Sequence, residues 1–123
     1  MPFSQWLGIE RLEERPGFCR LRMTLRKEMT NGFKIAHGGI TYSLADSALA
    51  FASNGHGVQS MSIETSISHT RPVQVGDRIT ATAIELNLTR RVGIYDIRIT
   101  NQKEEVVALF KGTVYRTGKE WQK

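Results

Sequence analysis

One carboxylate stands out in a largely apolar stretch of this sequence. Residues 35–54 read IAHGGITYSLADSALAFASN, and Asp46 is the only acidic residue among them. Burying an unpaired carboxylate costs several kcal/mol, so such a group is usually protonated, paired with a cation or used in function. Asp46 is therefore the first candidate for a catalytic group.

A pair of glycines, Gly38 and Gly39, precedes this carboxylate at the predicted start of a helix. The first N–H groups of a helix have no partner within it and carry partial positive charge. Gly38 has no side chain that would keep a carbonyl oxygen away from its N–H. Hydrolysis of an acyl compound requires an oxyanion donor together with a carboxylate base or nucleophile.

The spacing of Gly38 and Asp46 predicts that two chains share each site. Eight residues of helix span roughly 12 Å, whereas a reacting carbonyl lies about 3 Å from both groups that act on it. Two helices packed antiparallel about a two-fold axis would bring Gly38 of one copy beside Asp46 of the other. The alternative is structural: Asp46 pairs with a buried Arg or accepts structural hydrogen bonds, and the glycines only allow a tight turn into the helix.

The residues around Asp46 have helical spacing. Apolar side chains recur every four positions at Ile40, Leu44, Ala48 and Ala52. The segment SNGHG at 53–57 predicts the end of the helix. At 100° per residue, Asp46 points away from the apolar row, so we predict that it does not face the sheet. The residues expected on its face are Tyr42, Leu49, Ala50 and Ser53.

The remaining sequence predicts strands. The alternating segment 18–25 follows an RPGF turn, which joins it in a hairpin to a strand over 8–14. Four strand-like segments follow the helix, at 59–69, 78–88, 91–100 and 105–116. The order of two strands, one helix and four strands predicts an α+β domain with a single antiparallel sheet and one principal helix.

Two of these strands allow finer predictions. The side chains expected to share one face of the first are Met61, Ile63, Thr65 and Ile67. In 78–88 the apolar residues keep one phase to Ala83 and then shift to Ile84, which predicts a bulge or strong coiling of a long strand.

Composition limits the class of protein. A chain of 123 residues with 40% hydrophobic residues fits a single domain over 1–123. It has no apolar run long enough to span a membrane and no secretion signal, so we expect a cytoplasmic protein. The one cysteine, Cys19, excludes an internal disulfide and is predicted to be a core thiol. The three histidines lack the spacing of a metal site, and no cofactor is predicted.

The net charge of +5 is compatible with nucleic-acid binding, but the placement of the basic residues argues against it. Basic residues are scattered, and no aromatic side chains interleave with them as base-stacking platforms would. A nucleotide-bearing small molecule accounts for the charge equally well. Among further candidates, His56 is expected to be exposed. His69 could line the cleft or simply occupy its strand, and the strand is favoured. Glu64 could be a second acid or base, but its polar strand face favours a solvated side chain.

Three segments of the chain resemble the hotdog-fold acyl-CoA thioesterases of the PaaI type, which are associated with phenylacetate degradation. They are NGFKIAHGGITYSLADSALAFASNGHG, TRPVQVGD and GIYDIRITNQKEEVVALFKGTVYR, and the resemblance extends from Leu7 to Arg116. It implies a hotdog fold, in which an antiparallel sheet wraps one long central helix. It also implies hydrolysis of an acyl-CoA, of the phenylacetyl-CoA or hydroxyphenylacetyl-CoA type, to the free acid and coenzyme A. Dimers with a continuous sheet, and homotetramers built from pairs of dimers, are the assemblies it implies.

The resemblance also assigns roles to residues. Asp46 matches the catalytic carboxylate, and the Gly38 N–H matches the donor that polarises the thioester carbonyl. The positions that shape the site and orient the substrate are matched by Asn31, His37 and Gly39. Ser62 matches a position that helps to hold the water in some relatives, whereas Ala50 stands where a related branch has a hydroxyl. The candidates for binding coenzyme A phosphates are Arg71, Arg90, Arg91 and Lys111.

Three rival functions follow from the same residues. A hotdog hydroxyacyl-thioester dehydratase would need a His and a carboxylate for proton transfer at carbon, and would form an enoyl product. A non-catalytic acyl-CoA-binding protein would bind without turnover. A nucleic-acid binder would show steeply salt-dependent association.

Overall fold

The computed structural model describes residues 2–120 and confirms the predicted order of elements. Helix α1 (Pro2–Leu7) comes first, followed by strands β1 (Glu10–Arg15) and β2 (Phe18–Thr24), a short 3-10 helix (Lys27–Met29) and the long helix α2 (Gly38–Asn54). The remaining strands are β3 (Val58–His69), β4 (Arg78–Leu88), β5 (Val92–Thr100) and β6 (Val106–Glu120). The short α1 and the 3-10 helix are the elements that the sequence patterns did not predict.

The six strands form one antiparallel sheet in the order β1-β2-β4-β5-β6-β3. Helix α2 packs against every strand, so the sheet curls around it. This confirms the single antiparallel sheet around one central helix. The 12-residue β3 lies at one edge, with one side paired to β6.

The apolar row of α2 forms the centre of the core. Its members Ile40, Leu44, Ala48 and Ala52 are all buried. The largest fully buried side chains of the surrounding sheet, Tyr95 and Phe110, belong to the same core cluster. Burial of a side chain such as Leu44 contributes about 1.5–3 kcal/mol to the free energy of unfolding, so the apolar row holds α2 against the sheet.

The predicted hairpin is present, with a later start. Gly17 has a φ of 78° in the turn between β1 and β2, a conformation that glycine adopts without strain. β1 begins at Glu10 instead of Gly8. Gly8 has a φ of 72° and donates its N–H to the Gln5 carbonyl, so it closes α1 and cannot be extended.

The bulge predicted in β4 is confirmed. Glu85 pairs with Tyr95 and Asn87 with Ile94, so Leu86 is the extra residue. Ile84 and Leu86 are 49% and 60% exposed, on the side of the sheet away from α2.

A second bulge makes the predicted face of β3 wrong in its first half. Ser62 pairs with Val114 and Glu64 with Thr113, so Ile63 is an extra residue and the alternation changes phase there. Met61 and Ile63 are therefore 58% and 62% exposed. Thr65 and Ile67 are half-buried, as expected.

The prediction of a core thiol is confirmed. Cys19 is fully buried, and burial raises the pKa of its thiol to about 12, so it stays protonated at neutral pH. In residues 2–120, no helix has the length and apolar character needed to cross a membrane.

Candidate active site

The start of α2 presents one unpaired backbone donor. His37 is the N-cap, and its Nδ1 accepts the Gly39 N–H at 3.0 Å. The next amide, of Ile40, donates to the His37 carbonyl at 2.9 Å. The Gly38 N–H between them has no hydrogen-bond acceptor within the described chain. A carbonyl oxygen placed there would meet both a free donor and the positive end of the helix dipole.

The loop before α2 is held in place by hydrogen bonds at both of its sides. Asn31 folds it by accepting the Phe33 N–H on Oδ1 at 2.8 Å. The Ala36 N–H donates to the Val73 carbonyl at 2.7 Å, and the His37 N–H to the Met29 carbonyl at 2.9 Å. Asn31 and His37 therefore fix the loop that leads into Gly38, and their site-shaping role stays a prediction.

A cavity of about 410 Å³ opens beside Gly38. Its walls include Asn31, Thr41, His69 and Arg71. His69 Nε2 lies 3.3 Å from the point where a Cβ would sit on residue 38. The prediction that His69 simply occupies the strand was therefore incomplete. Its alternation with Thr65 and Ile67 was the available signal that it faces the helix.

Asp46 lines a second, small cavity of about 80 Å³ under the edge strand. The other lining residues are Leu49, Ala50, Ser53, Ser60, Ser62 and Val114. Three of the four predicted helix neighbours, Leu49, Ala50 and Ser53, therefore share this cavity with Asp46, whereas Tyr42 does not line it. The prediction that Asp46 does not face the sheet is wrong, because the sheet curls far enough for β3 to cover this side of α2.

The Asp46 carboxylate is half-buried and has no cationic partner. No Lys, Arg or His nitrogen in residues 2–120 lies within ion-pair distance of it. Burial raises the pKa of Asp46 above its usual range, since removal from water disfavours the charged form. The structural alternative, a pair with a buried Arg, is not what the chain forms. Ser62 is placed near the carboxylate, in the same cavity.

Gly38 and Asp46 stand on one uninterrupted helix, which keeps them apart within a chain. α2 runs from Gly38 to Asn54 without a break. The eight residues between them span roughly 12 Å. The two cavities are accordingly separate, and neither contains both groups.

Of the four basic candidates, only Arg71 is at the first cavity. It also lines an adjoining hollow with Thr70 and Arg98, and its guanidinium lies 3.4 Å from Glu105. Arg98 was not singled out from the sequence. Arg90 and Arg91 are exposed beside the β4–β5 turn, and Lys111 is on the face of β6 away from α2.

The prediction that His56 is exposed is wrong. Its side chain is only 21% exposed, and Nε2 lies 2.6 Å from Glu85 Oε1. The Tyr95 hydroxyl donates to the same oxygen at 2.9 Å. Glu85 sits at the β4 bulge, which brings its carboxylate to the end of α2. Glu64 is exposed, as predicted.

The described residues contain no group of three or more His, Cys, Asp or Glu side chains that could hold a metal ion.

Residues 33–108 match the family model of the thioesterase superfamily. Among curated proteins, the acyl-coenzyme A thioesterase PaaI of Escherichia coli is 40% identical over 112 residues, covering 91% of this chain and 80% of its own. Among solved structures, the E. coli PaaI protein of the phenylacetic acid degradation operon superposes with a TM-score of 0.96 at 38% identity, covering 98% of this chain and 87% of that one. The TT0310 protein of Thermus thermophilus has a TM-score of 0.91 at 38% identity, covering 94% and 97%.

Proposed function

The chain belongs to the thioesterase superfamily, and we propose that it hydrolyses acyl-CoA thioesters with Asp46 of one subunit and the Gly38 N–H of another. It has the hotdog thioesterase fold and is a thioester hydrolase. The observation that carries the proposal is the pair of unsatisfied groups on α2. A free N–H stands at the helix start, and a half-buried carboxylate without a cation stands eight residues later.

In the proposed reaction, the carbonyl oxygen of the thioester accepts a hydrogen bond from the Gly38 N–H. The helix dipole and this donor stabilise the negative charge that develops on that oxygen. Asp46 takes a proton from water as the water oxygen attacks the carbonyl carbon. The carbon–sulfur bond then breaks, and the proton returns to the departing thiolate of coenzyme A. A direct attack by Asp46 would instead form a mixed anhydride, which water opens.

The edge strand supports a shared site. One side of β3 has no strand partner within the described chain, and the exposed apolar side chains of Met61 and Ile63 lie along it. Edge strands of this kind invite pairing with another chain. Asp46 lies directly under β3, beside Ser60 and Ser62. Antiparallel pairing of two β3 strands would extend the sheet and bring the second copy of α2 next to this carboxylate. We propose the homodimer as the minimal catalytic unit, and a tetramer of two such dimers.

Phenylacetyl-CoA and hydroxyphenylacetyl-CoA are the proposed substrates, on the strength of the likeness to PaaI. Arg71 is the proposed contact for a coenzyme A phosphate, because it lines the cavity that begins at Gly38. No metal or cofactor takes part in the proposed reaction. Cytoplasmic localisation and a single domain over 1–123 stay predictions.

Two substitutions test the two halves of the site. Asp46→Asn keeps the shape but removes the base, so kcat should fall at least ~100-fold. Gly38→Pro removes the N–H at the first helical position, where proline is tolerated. His37 already has the extended conformation that proline requires before it, with ψ of 136°. Removing an oxyanion donor should lower kcat by about 10²–10³-fold.

A matched control separates chemistry from structure. Glu64→Gln makes the same change from carboxylate to amide at an exposed position of the edge strand. Thiol release from acyl-CoAs should survive in this variant. Full activity in Asp46→Asn would contradict the proposal, as would an enoyl product or binding without turnover in the wild type. In single-turnover hydrolysis in ¹⁸O water, label in the Asp46 carboxylate would identify the nucleophilic route.

A further inference from the structure

We infer that His69 is a substrate-positioning residue. Its Nε2 accepts a hydrogen bond from an amide N–H of the thiol arm, the part of coenzyme A that carries the sulfur. This inference rests on the proposed function, because it places the thioester carbonyl at the Gly38 N–H. It adds a residue on a different element and a specific group of the substrate.

The hydrogen bonds around Thr41 define which ring nitrogen of His69 carries the proton. Thr41 Oγ1 lies 3.0 Å from the Gly38 carbonyl and 3.3 Å from His69 Nδ1. A hydroxyl has one proton, and a carbonyl can only accept. Both contacts are hydrogen bonds only if Thr41 donates to the Gly38 carbonyl and His69 Nδ1–H donates to Thr41. The neutral ring then has its lone pair on Nε2.

That lone pair is directed at the cavity beside the oxyanion donor. Nε2 has no hydrogen-bond partner within residues 2–120, and it lies 3.3 Å from the Cβ position of residue 38. Thr41 is buried, so its hydroxyl is fixed in place and holds the His69 ring through Nδ1. A group only a few bonds from the bound carbonyl would therefore meet a preoriented acceptor.

The direction of the cavity indicates which part of the substrate passes His69. From Gly38 the cavity continues over Thr70 to Arg71, and these two residues also line the hollow that contains Arg98. Two guanidinium groups at the far end suit the phosphates of coenzyme A. The thiol arm should therefore extend from the thioester at Gly38, past His69, towards Arg71. Its first N–H is an amide two methylene groups from the sulfur, whereas a phenylacetyl group has none.

Two small thioesters test the contact by changing a single atom. Phenylacetyl-N-acetylcysteamine contains the amide, and phenylacetyl 2-acetoxyethyl thioester replaces its N–H with an oxygen of similar size. We expect the wild type to prefer the amide by about 3- to 10-fold in kcat/KM, the usual effect of one neutral hydrogen bond. The difference should appear in KM, because the arm is bound alike in the ground state and the transition state.

Variants of His69 complete the test. His69→Phe removes the acceptor, so its ratio of kcat/KM for the amide over the ester should fall to about one. His69→Gln can place an oxygen near the position of Nε2 and should restore the preference, whereas the shorter His69→Asn should not. A wild type without the preference, or a His69→Phe enzyme that keeps it, would overturn the inference. If the wild type cleaves neither these thioesters nor acyl-CoAs, the proposed function fails instead.

Discussion

At the residue scale, Asp46 combines a functional group with a cost to stability. Its carboxylate is half-buried beside Ser60 and Ser62 and has no cation to offset the lost hydration. Such an uncompensated charge is common where a group is kept reactive, because burial raises its pKa towards the pH at which it must act as a base.

Asp46→Asn should therefore raise the free energy of unfolding at neutral pH. The folded state holds the Asp46 proton more tightly than the unfolded state, where the pKa is near the ordinary 3.8. The contribution of this carboxyl group to the free energy of unfolding is fully present below the unfolded-state pKa, and it is lost as pH rises through the raised pKa of the folded state. Asn does not titrate. The difference in free energy of unfolding between Asp46→Asn and the wild type should therefore be absent at pH 3 and constant above the raised pKa. Urea unfolding from pH 3 to 7, at fixed protein concentration, measures it.

A variant that is less stable than the wild type at pH 7 would contradict this account of Asp46. It would mean that the carboxylate makes stabilising contacts in the assembly. Glu64→Gln is the control, since an exposed carboxylate should show little pH-dependent difference.

At the element scale, single-residue bulges decide which side chains meet α2. The bulge in β3 turns Ser60 and Ser62 towards Asp46 and leaves Met61 on the other face. The bulge in β4 places Glu85 between His56 and the buried Tyr95 hydroxyl. Each bulge inserts one residue into a strand, which reverses the facing of everything beyond it.

The packing of α2 on β6 depends on a glycine. A Cβ on Gly112 would lie 2.6 Å from Leu49 Cδ2, and Leu49 is only 1% exposed. Because Leu49 must shift within the core to clear the new methyl group, Gly112→Ala should destabilise the protein by about 1–3 kcal/mol. Thermal and urea unfolding measure the change.

Gly32→Ala is the matched control for this substitution. No atom lies within 4 Å of the added Cβ, and Gly32 has no positive φ. We expect its stability to stay within about 0.5 kcal/mol of the wild type. Equal effects of the two substitutions would show that contact with Leu49 is not the cause.

At the scale of the whole molecule, the proposed site should be complete only between subunits. Co-expressing Asp46→Asn with Gly38→Pro gives mixed dimers in which one of the two sites has both wild-type groups. Random pairing makes half of the dimers mixed, so activity should return to about a quarter of the wild-type value. Differently tagged chains allow the mixed dimer to be purified and assayed by thiol release.

The control for this experiment pairs Asp46→Asn with Asp46→Ala, a combination that leaves no intact site. It should stay inactive. A purified mixed dimer of Asp46→Asn and Gly38→Pro that is also inactive would show that each site belongs to one chain.

The sequence by itself was sufficient for the order of elements, the hairpin, the β4 bulge and the buried row of α2. These features are local: alternation, four-residue spacing and turn residues are all read within one segment. It also made Asp46 and Gly38 the candidates for the site, because a carboxylate among apolar residues and glycines at a helix start are unusual in themselves. Their separation on one helix follows from helical geometry alone.

Only the tertiary structure decided which distant residues meet. It placed Asp46 under β3, His56 against Glu85, and His69 beside Gly38. The sequence could not settle these contacts, because they depend on how far the sheet curls around α2 and on where β3 gains a residue. A shift of one residue in a strand reverses which side chains face the helix, and packing of the whole sheet selects that register.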